Sequence, residues 1–167
     1  GQNWYLGETL ITGIGQGYIQ STPLQLTLMT AQLANGGNKI YPTLTPNNKN
    51  VEEIKKEMEL NEDLDLPSNY PPLVRNKENV KFVLDAMFKS TNEVYGTSYS
   101  SRIEDPKYQF AGKTGTAQVK RITEAERELD RKLDQIPYKE RDHAWYIAFG
   151  PYKNPRYAMS ILVEHGG

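Results

Sequence analysis

The chain has 167 residues, a formal net charge of −1 and no cysteine. This length suits one domain with a sizeable core, and the near-neutral charge gives no reason to expect nucleic acid or an anionic membrane as a partner. Without cysteine, disulfides and thiolate catalysis are excluded. No apolar run approaches the roughly 18 to 20 residues that cross a bilayer. Because the chain begins with Gly1 and has no signal-like segment, we interpret it as a piece of a longer protein.

The first predicted element is a helix that follows a glycine-rich stretch. Residues 22–25 spell TPLQ, which has the form of a capping box with proline at the first helical position. The helix is predicted to run on to Asn35 and to stop at residues 36–37, two glycines, where a left-handed residue is expected. Apolar residues on two of its faces predict a central, buried helix.

The stretch before this helix, GIGQG at residues 13–17, invites comparison with a phosphate-binding loop. The spacing is not G-x-G-x-x-G, and no lysine followed by serine or threonine closes the loop. We therefore predict a structural turn. A phosphate-binding module remains an alternative, which nucleotide titration would test.

Asn76 can cap a second predicted helix. One charged stretch precedes this helix in the chain, and another follows it. The apolar positions of this helix recur at helical spacing and define one face, at Val80, Val83, Leu84, Met87 and Phe88. Residues 47–72 are predicted to be a surface excursion, and the sequence leaves open whether a short strand or a helix lies near 51–60. Residues 120–142 are predicted to be a second excursion, with a short solvated helix capped at 123–126 and a thin apolar stripe from Leu129 to Leu133.

Three segments are predicted to be strands, at residues 108–119, 144–150 and 156–166. The last two are rich in aromatic and β-branched residues and are joined by PYKNP, which predicts a hairpin. With the first segment they form a three-stranded meander. We expect an α+β fold, in which an antiparallel sheet packs against helices, and one domain over residues 1–167.

The first predicted strand contains the residues with the clearest chemical meaning, AGKTGTAQV at 111–119. Glycines are tolerated in a strand where a ligand or another backbone comes close. Alternation puts Thr114 and Thr116 on one face, where two hydroxyls can bind one carboxylate, and Lys113 adds a compact positive charge. These features predict a receptor for the C-terminal carboxylate of a peptide that pairs with the strand edge. The alternative is an ordinary edge strand in which lysine aids solubility.

This strand resembles the third active-site motif of penicillin-binding proteins and serine β-lactamases, K-T-G. Three blocks occur in the order of the class B transpeptidases, and they are similar to the branch that serves rod-shape elongation. They are the GIGQG turn with its helix, the GKTGTAQV strand and the closing hairpin. The resemblance is weak over residues 47–72 and 120–142, and it implies part of a transpeptidase fold.

The same comparison shows which motifs this chain lacks. No serine is followed three residues later by lysine, so the S-x-x-K nucleophile motif is missing. Residues 90–92 spell S-T-N, like the second family motif, but they lie on the wrong side of the GIGQG turn and are interpreted as a decoy. Residues 152–154, Y-K-N, follow the lysine strand and are interpreted as a turn. We expect the C-terminal portion of a transpeptidase domain, inactive by itself.

The resemblance implies a role for each residue of the K-T-G strand. Lys113 would hold the serine of the second motif and help proton transfer, and the backbone N–H of Thr116 would be one oxyanion donor. Substrate would contact Thr114, Gly115, Thr116, Ala117 and Gln118. The glycine turn and its helix would lie behind the site without touching substrate. No metal and no cofactor are implied.

Partners and location follow from the resemblance alone. It implies stem peptides ending in D-Ala-D-Ala, β-lactams and wall-elongation proteins as partners, and the periplasmic side of the inner membrane as location. Alternatives are a serine β-lactamase or penicillin-sensor domain of the same fold, and a non-catalytic piece that only binds a peptide or a protein. Because a divided domain exposes apolar faces, we also expect self-association of the isolated chain.

Overall fold

The computed structural model describes residues 4–17, 19–40, 42, 73–120 and 132–166. Within these ranges the helices are α1 (Leu6–Gly13), α2 (Pro23–Ala34) and α3 (Lys77–Asn92). The strands are β1 (Ala111–Ala117), β2 (His143–Gly150) and β3 (Tyr157–Val163). The predicted α+β fold, an antiparallel sheet packed against helices, is confirmed.

Helix α2 begins and ends where the sequence predicts. The Thr22 hydroxyl accepts from the backbone N–H of Gln25 at 3.2 Å, and the Gln25 side chain accepts from the N–H of Thr22 at 2.8 Å. Gly36 and Gly37 have φ angles of 74° and 82° and end the helix in the left-handed region.

The prediction that α2 is central and buried is wrong for the described part of the chain. Only Thr30 is buried in this helix, and Leu24 is 64% exposed. One side of α2 packs on β3 and β2, while Leu24 and Met29 remain exposed among the described residues. Apolar spacing identifies residues that are suited to burial, but it does not show which of them another element covers.

Helix α3 packs against β1 and β2 and contributes to the hydrophobic core. The Asn76 side chain caps it by accepting from the N–H of Glu78 at 2.8 Å. Met87 is buried against Ala111 of β1 and Phe149 of β2, with Leu84 and Phe88 partly buried beside them. Val83, predicted on the same face, is 40% exposed instead. The core therefore lies where α3 crosses the first two strands.

The sheet is the predicted meander, in the order β1-β2-β3. Both pairs are antiparallel, with Lys113 opposite Ile147 and Thr114 opposite Tyr146. The residues between β2 and β3 form the predicted turn, and β1 is shorter than the predicted 108–119. In the described sheet, β1 has β2 on one side and is an edge strand on the other.

Some predicted elements differ or lie outside the described residues. Helix α1 was not predicted, because its eight residues include Gly7 and Gly13 and make only about two turns, too few for a pattern to be recognised. The possible element near 51–60, the cap at 123–126 and Leu129 lie outside the described residues. Leu133 is described and is 46% exposed in a 3-10 turn. Exposed apolar side chains also occur on α1, so self-association stays a prediction.

The turn between β2 and β3 is fixed to α3 through Tyr152. Its hydroxyl donates to Asp85, its ring lies 4.3 Å from that of Phe88 between centroids, and its N–H donates to the Gln109 carbonyl at 2.7 Å. Burial, the hydrogen bond to Asp85 and the carboxylate charge raise the pKa of Tyr152 to about 12. This residue, interpreted from sequence as part of a turn, therefore holds the hairpin on the helix.

We expect Tyr152→Phe to lower the free energy of unfolding by about 2 kcal/mol, because one hydrogen bond to a charged group is lost. The folded-state pKa is raised above the ordinary value of 10.0, so the Tyr152 contribution is complete below pH 10 and is lost as the pH rises towards about 12. Urea unfolding of both proteins across this range tests the prediction. Tyr157→Phe, at an exposed position, is the control, and an identical pH slope for wild type and Tyr152→Phe would contradict it.

Candidate substrate-binding strand

The K-T-G residues lie on the edge strand β1, in the middle of its length. Thr114 and Thr116 share one face of the sheet, as the alternation predicts, while Lys113, Gly115 and Ala117 are on the other. Lys113, Gly115 and Thr116 are exposed, and Thr114 is half-buried. Gln118 follows the strand and is exposed. Of the residues predicted to meet a substrate, Gly115, Thr116 and Gln118 are therefore exposed, while Thr114 and Ala117 are half-buried.

The Lys113 side chain bends along this edge towards its neighbour. Its Nζ donates to the Thr114 carbonyl oxygen at 2.9 Å and lies 3.3 Å from the Thr114 hydroxyl. A fixed ammonium next to a hydroxyl is a suitable pair of donors for a carboxylate.

A tyrosine of β2 crosses β1 at the first glycine of the motif. Tyr146 is the cross-strand partner of Thr114, and its ring extends over Gly112 on the same face. The hydroxyl then lies 3.2 Å from those of Thr91 and Ser98, both buried. Any side chain at residue 112 would overlap the Tyr146 phenol, so glycine is required here for close approach.

A cleft of about 940 Å³ lies beside the second half of β1. One wall is formed by residues 115–120 with His143 and Trp145 of β2, and the other by the glycine turn and the first residues of α2. The expectation that the turn and its helix lie behind the site is therefore wrong, because Gln16 and Gln25 face the same space as Thr116. The sequence carries no signal for this, since the turn and the strand are about a hundred residues apart.

The glycine residues at 13–17 form the predicted turn. Gly15 and Gly17 have φ angles of 77° and 85°, and the N–H groups of Gly15 and Gln16 donate to carbonyls at the end of α1. The turn thus closes α1 and directs the chain along the cleft.

The two segments that are similar to the second family motif, residues 90–92 and 152–154, lie at the end of a helix and in a turn. Residues 90–92 form the last turn of α3, where the Asn92 amide donates to the Phe110 carbonyl at 2.9 Å. Residues 152–154 lie in the turn between β2 and β3. Ser90 nevertheless reaches β1 indirectly, because its hydroxyl lies 3.2 Å from that of Thr97, which is 3.2 Å from that of Thr114.

The end of β1 is tied to the residues that precede β2. The Val119 N–H donates to Asp142 at 3.1 Å, and Lys120 forms an ion pair with Glu140 at 3.0 Å. His143, which lines the cleft, accepts from the backbone N–H of His165 at 2.9 Å. Sequence reasoning missed His143 and Trp145, which the register of the hairpin places opposite Ala117 and Gly115.

The described residues contain neither a candidate metal site nor a candidate membrane span. Within them, no three histidine, aspartate or glutamate residues are grouped so that they could hold a metal ion. In the same ranges, no helix has both the length and the apolar character of a membrane span.

An edge strand carrying K-T-G, on an antiparallel sheet backed by helices, fits the fold that penicillin-binding proteins share with serine β-lactamases. The chain belongs to the penicillin-binding protein family, because the model of the penicillin-binding protein transpeptidase domain matches residues 1–167. The expected resemblance to the penicillin-binding proteins is confirmed, and the relatives that the chain matches are named MrdA or penicillin-binding protein 2. Peptidoglycan D,D-transpeptidase MrdA of Salmonella typhimurium is 36% identical over 166 residues, and that of Haemophilus influenzae is 34% identical over 164.

Solved structures of penicillin-binding protein 2 have the same fold. The Pseudomonas aeruginosa protein, in complex with WCK 5153, is 35% identical with a TM-score of 0.67, and 99% of this chain aligns with 30% of that one. The Helicobacter pylori protein, in complex with MreC, is 34% identical with a TM-score of 0.70, over 99% of this chain and 25% of that one. The alignments with the two MrdA proteins include 98% of this chain. They span only 25% of the Salmonella protein and 24% of the Haemophilus protein.

We expect Gly112→Ala to lower the free energy of unfolding by about 2 kcal/mol or more, because the new methyl group displaces Tyr146 and breaks its hydrogen bonds to Thr91 and Ser98. Gly115→Ala is the matched control, since a Cβ there would meet the Trp145 Cβ at an ordinary 3.4 Å. Urea unfolding measures both. Equal stabilities of the two variants would disprove the close approach at residue 112.

Proposed function

We propose that this chain carries the substrate-binding strand of a peptidoglycan D,D-transpeptidase like penicillin-binding protein 2. The complete enzyme would cross-link stem peptides by serine acyl transfer and would be acylated by β-lactams. The proposal is supported most by one observation: the Lys113 ammonium and the Thr114 hydroxyl lie together on an open strand edge. Membership of the family supplies the reaction class.

In the proposed reaction, a serine outside this chain attacks the carbonyl of the penultimate D-alanine of a stem peptide. The serine loses its proton, an ester forms, and the peptide bond to the terminal D-alanine breaks as its amine takes up a proton. An amine of a neighbouring stem peptide then attacks the ester and restores the serine. This is covalent catalysis in two acyl transfers.

The residues of β1 would divide this work between binding and stabilisation of charge. Thr114 and Thr116 would hydrogen-bond the terminal carboxylate, and Lys113 would favour it electrostatically and assist proton transfer to the leaving amine. The main chain from Gly115 to Gln118 would pair with the extended substrate along the exposed edge. The N–H of Thr116 would donate to the oxyanion, a contact whose loss costs about 3 kcal/mol in related acyl-transfer enzymes.

The cleft gives this binding mode room. Its position beside residues 115–120 allows a peptide to extend along β1 with Trp145 and His143 on one side. Gln16 and Gln25 on the opposite wall would offer amide groups to the substrate backbone. A stem peptide bound here would lie between the strand and the glycine turn.

Location and protein partners belong to the complete enzyme. We propose that it acts on the periplasmic side of the inner membrane, where peptidoglycan is assembled. The complex of a similar protein with MreC supports a wall-elongation protein as its partner.

In the complete protein, Lys113→Ala should slow acylation by a fluorescent penicillin about a hundredfold or more, because the carboxylate loses its main positive charge. Lys153→Ala, in the turn between β2 and β3, removes an equal charge away from the cleft and should label like wild type. Circular dichroism checks that both variants are folded. Near-normal labelling of Lys113→Ala would remove the assigned role.

The chain of residues 1–167 by itself should form no covalent adduct with benzylpenicillin, because none of its serines belongs to an S-x-x-K motif. Intact mass measured after incubation checks this, with the complete protein as the positive control. A mass increase equal to the drug would show that a serine of this chain is a nucleophile and would contradict the assignment.

A further inference from the structure

A row of hydroxyl groups leads from the end of α3 to the K-T-G strand. Ser90 Oγ lies 3.2 Å from Thr97 Oγ1, and Thr97 Oγ1 lies 3.2 Å from Thr114 Oγ1. The row ends at the Lys113 ammonium, whose Nζ donates to Thr114 Oγ1 at 3.3 Å. Thr97 is the member that joins the helix side of the row to the strand.

The backbone on both sides of Thr97 is fixed to α3. The N–H and the hydroxyl of Ser98 donate to the Ser90 carbonyl at 3.1 and 3.0 Å. Gly96 lies so close to the Ser90 backbone that a Cβ would overlap it. Thr97, between these two anchored residues, therefore presents its hydroxyl to Thr114 from a constrained position.

The number of hydrogen bonds that each hydroxyl can donate and accept determines the direction of donation along the row. Each hydroxyl donates one hydrogen and accepts up to two. When Thr114 gives its hydrogen to a carboxylate, it can still accept from Lys113 and from Thr97, while Thr97 accepts from Ser90. All the hydroxyls then donate in the same direction, towards the ligand, and cooperative polarisation strengthens the last bond.

We propose that Thr97 is a positioning residue for carboxylate recognition, which holds the Thr114 hydroxyl in the rotamer that donates to the ligand. A threonine side chain otherwise has more than one χ1 rotamer available, and only one points its hydroxyl at a given acceptor. The inference rests on the proposed function, since it concerns the same carboxylate. Thr97 itself contacts Ser90 and Thr114.

The test compares two probes that differ only at the carboxylate, benzylpenicillin and its methyl ester. In the complete protein, the second-order acylation rate of each is measured by competition with a fluorescent penicillin. Thr97→Val keeps the side-chain shape but removes the hydroxyl, and it should reduce the rate ratio of acid to ester about two- to tenfold, the range expected for one hydrogen bond. Thr97→Ser should keep the wild-type ratio.

Two further variants make the result specific. Ser100→Ala, at an exposed position three residues along the same loop, removes a hydroxyl outside the row and should leave the ratio unchanged. In a Thr114→Val background, Thr97→Val should have no further effect, because the two residues act through one contact.

The outcomes separate this inference from the function on which it rests. An equal slowing of both probes by Thr97→Val, or an unchanged ratio while Thr114→Val lowers it, overturns the role of Thr97 alone. An unchanged ratio in Thr114→Val itself overturns both that role and the carboxylate receptor. Additive effects of the two substitutions also contradict the proposal.

Discussion

The contact on which the site depends is the crossing of Tyr146 over Gly112. Strand β1 is an edge strand, so the described sheet holds it from one side only. The Tyr146 phenol reaches across it to Thr91 and Ser98, and thereby ties β2, β1 and the end of α3 into one unit. A strand edge fixed in this way can remain open to a ligand without losing its position.

The two glycines that flank Lys113 and Thr114 have different uses. Gly112 makes room for Tyr146, whereas a side chain at Gly115 would meet only Trp145 at van der Waals distance. Gly115 therefore fits the role of leaving the edge bare beside the cleft. The motif combines a structural requirement at its start with an accessibility requirement at its end.

Local sequence patterns predicted most helices and strands of this fold. The predictions that failed concern contacts between residues far apart in the chain. The cap at Thr22, the glycines at 36–37 and the period-two segments depend on neighbours along the chain, so they could be found. The position of the glycine turn across the cleft from Thr116 depends on tertiary packing, and so does the exposure of Leu24. Thr97 was overlooked because its meaning comes from Ser90 and Thr114, which are separated from it by 7 and 17 positions.

The ties at the end of β1 have a consequence for evolution. The bonds from Val119 to Asp142 and from Lys120 to Glu140 bring the two ends of the intervening chain together next to the strand. Closing a longer connection between fixed ends costs little extra entropy. Insertions and deletions between these ties can therefore accumulate among homologues while the register of β1 on β2 stays the same, so divergence can concentrate there without disturbing the strand.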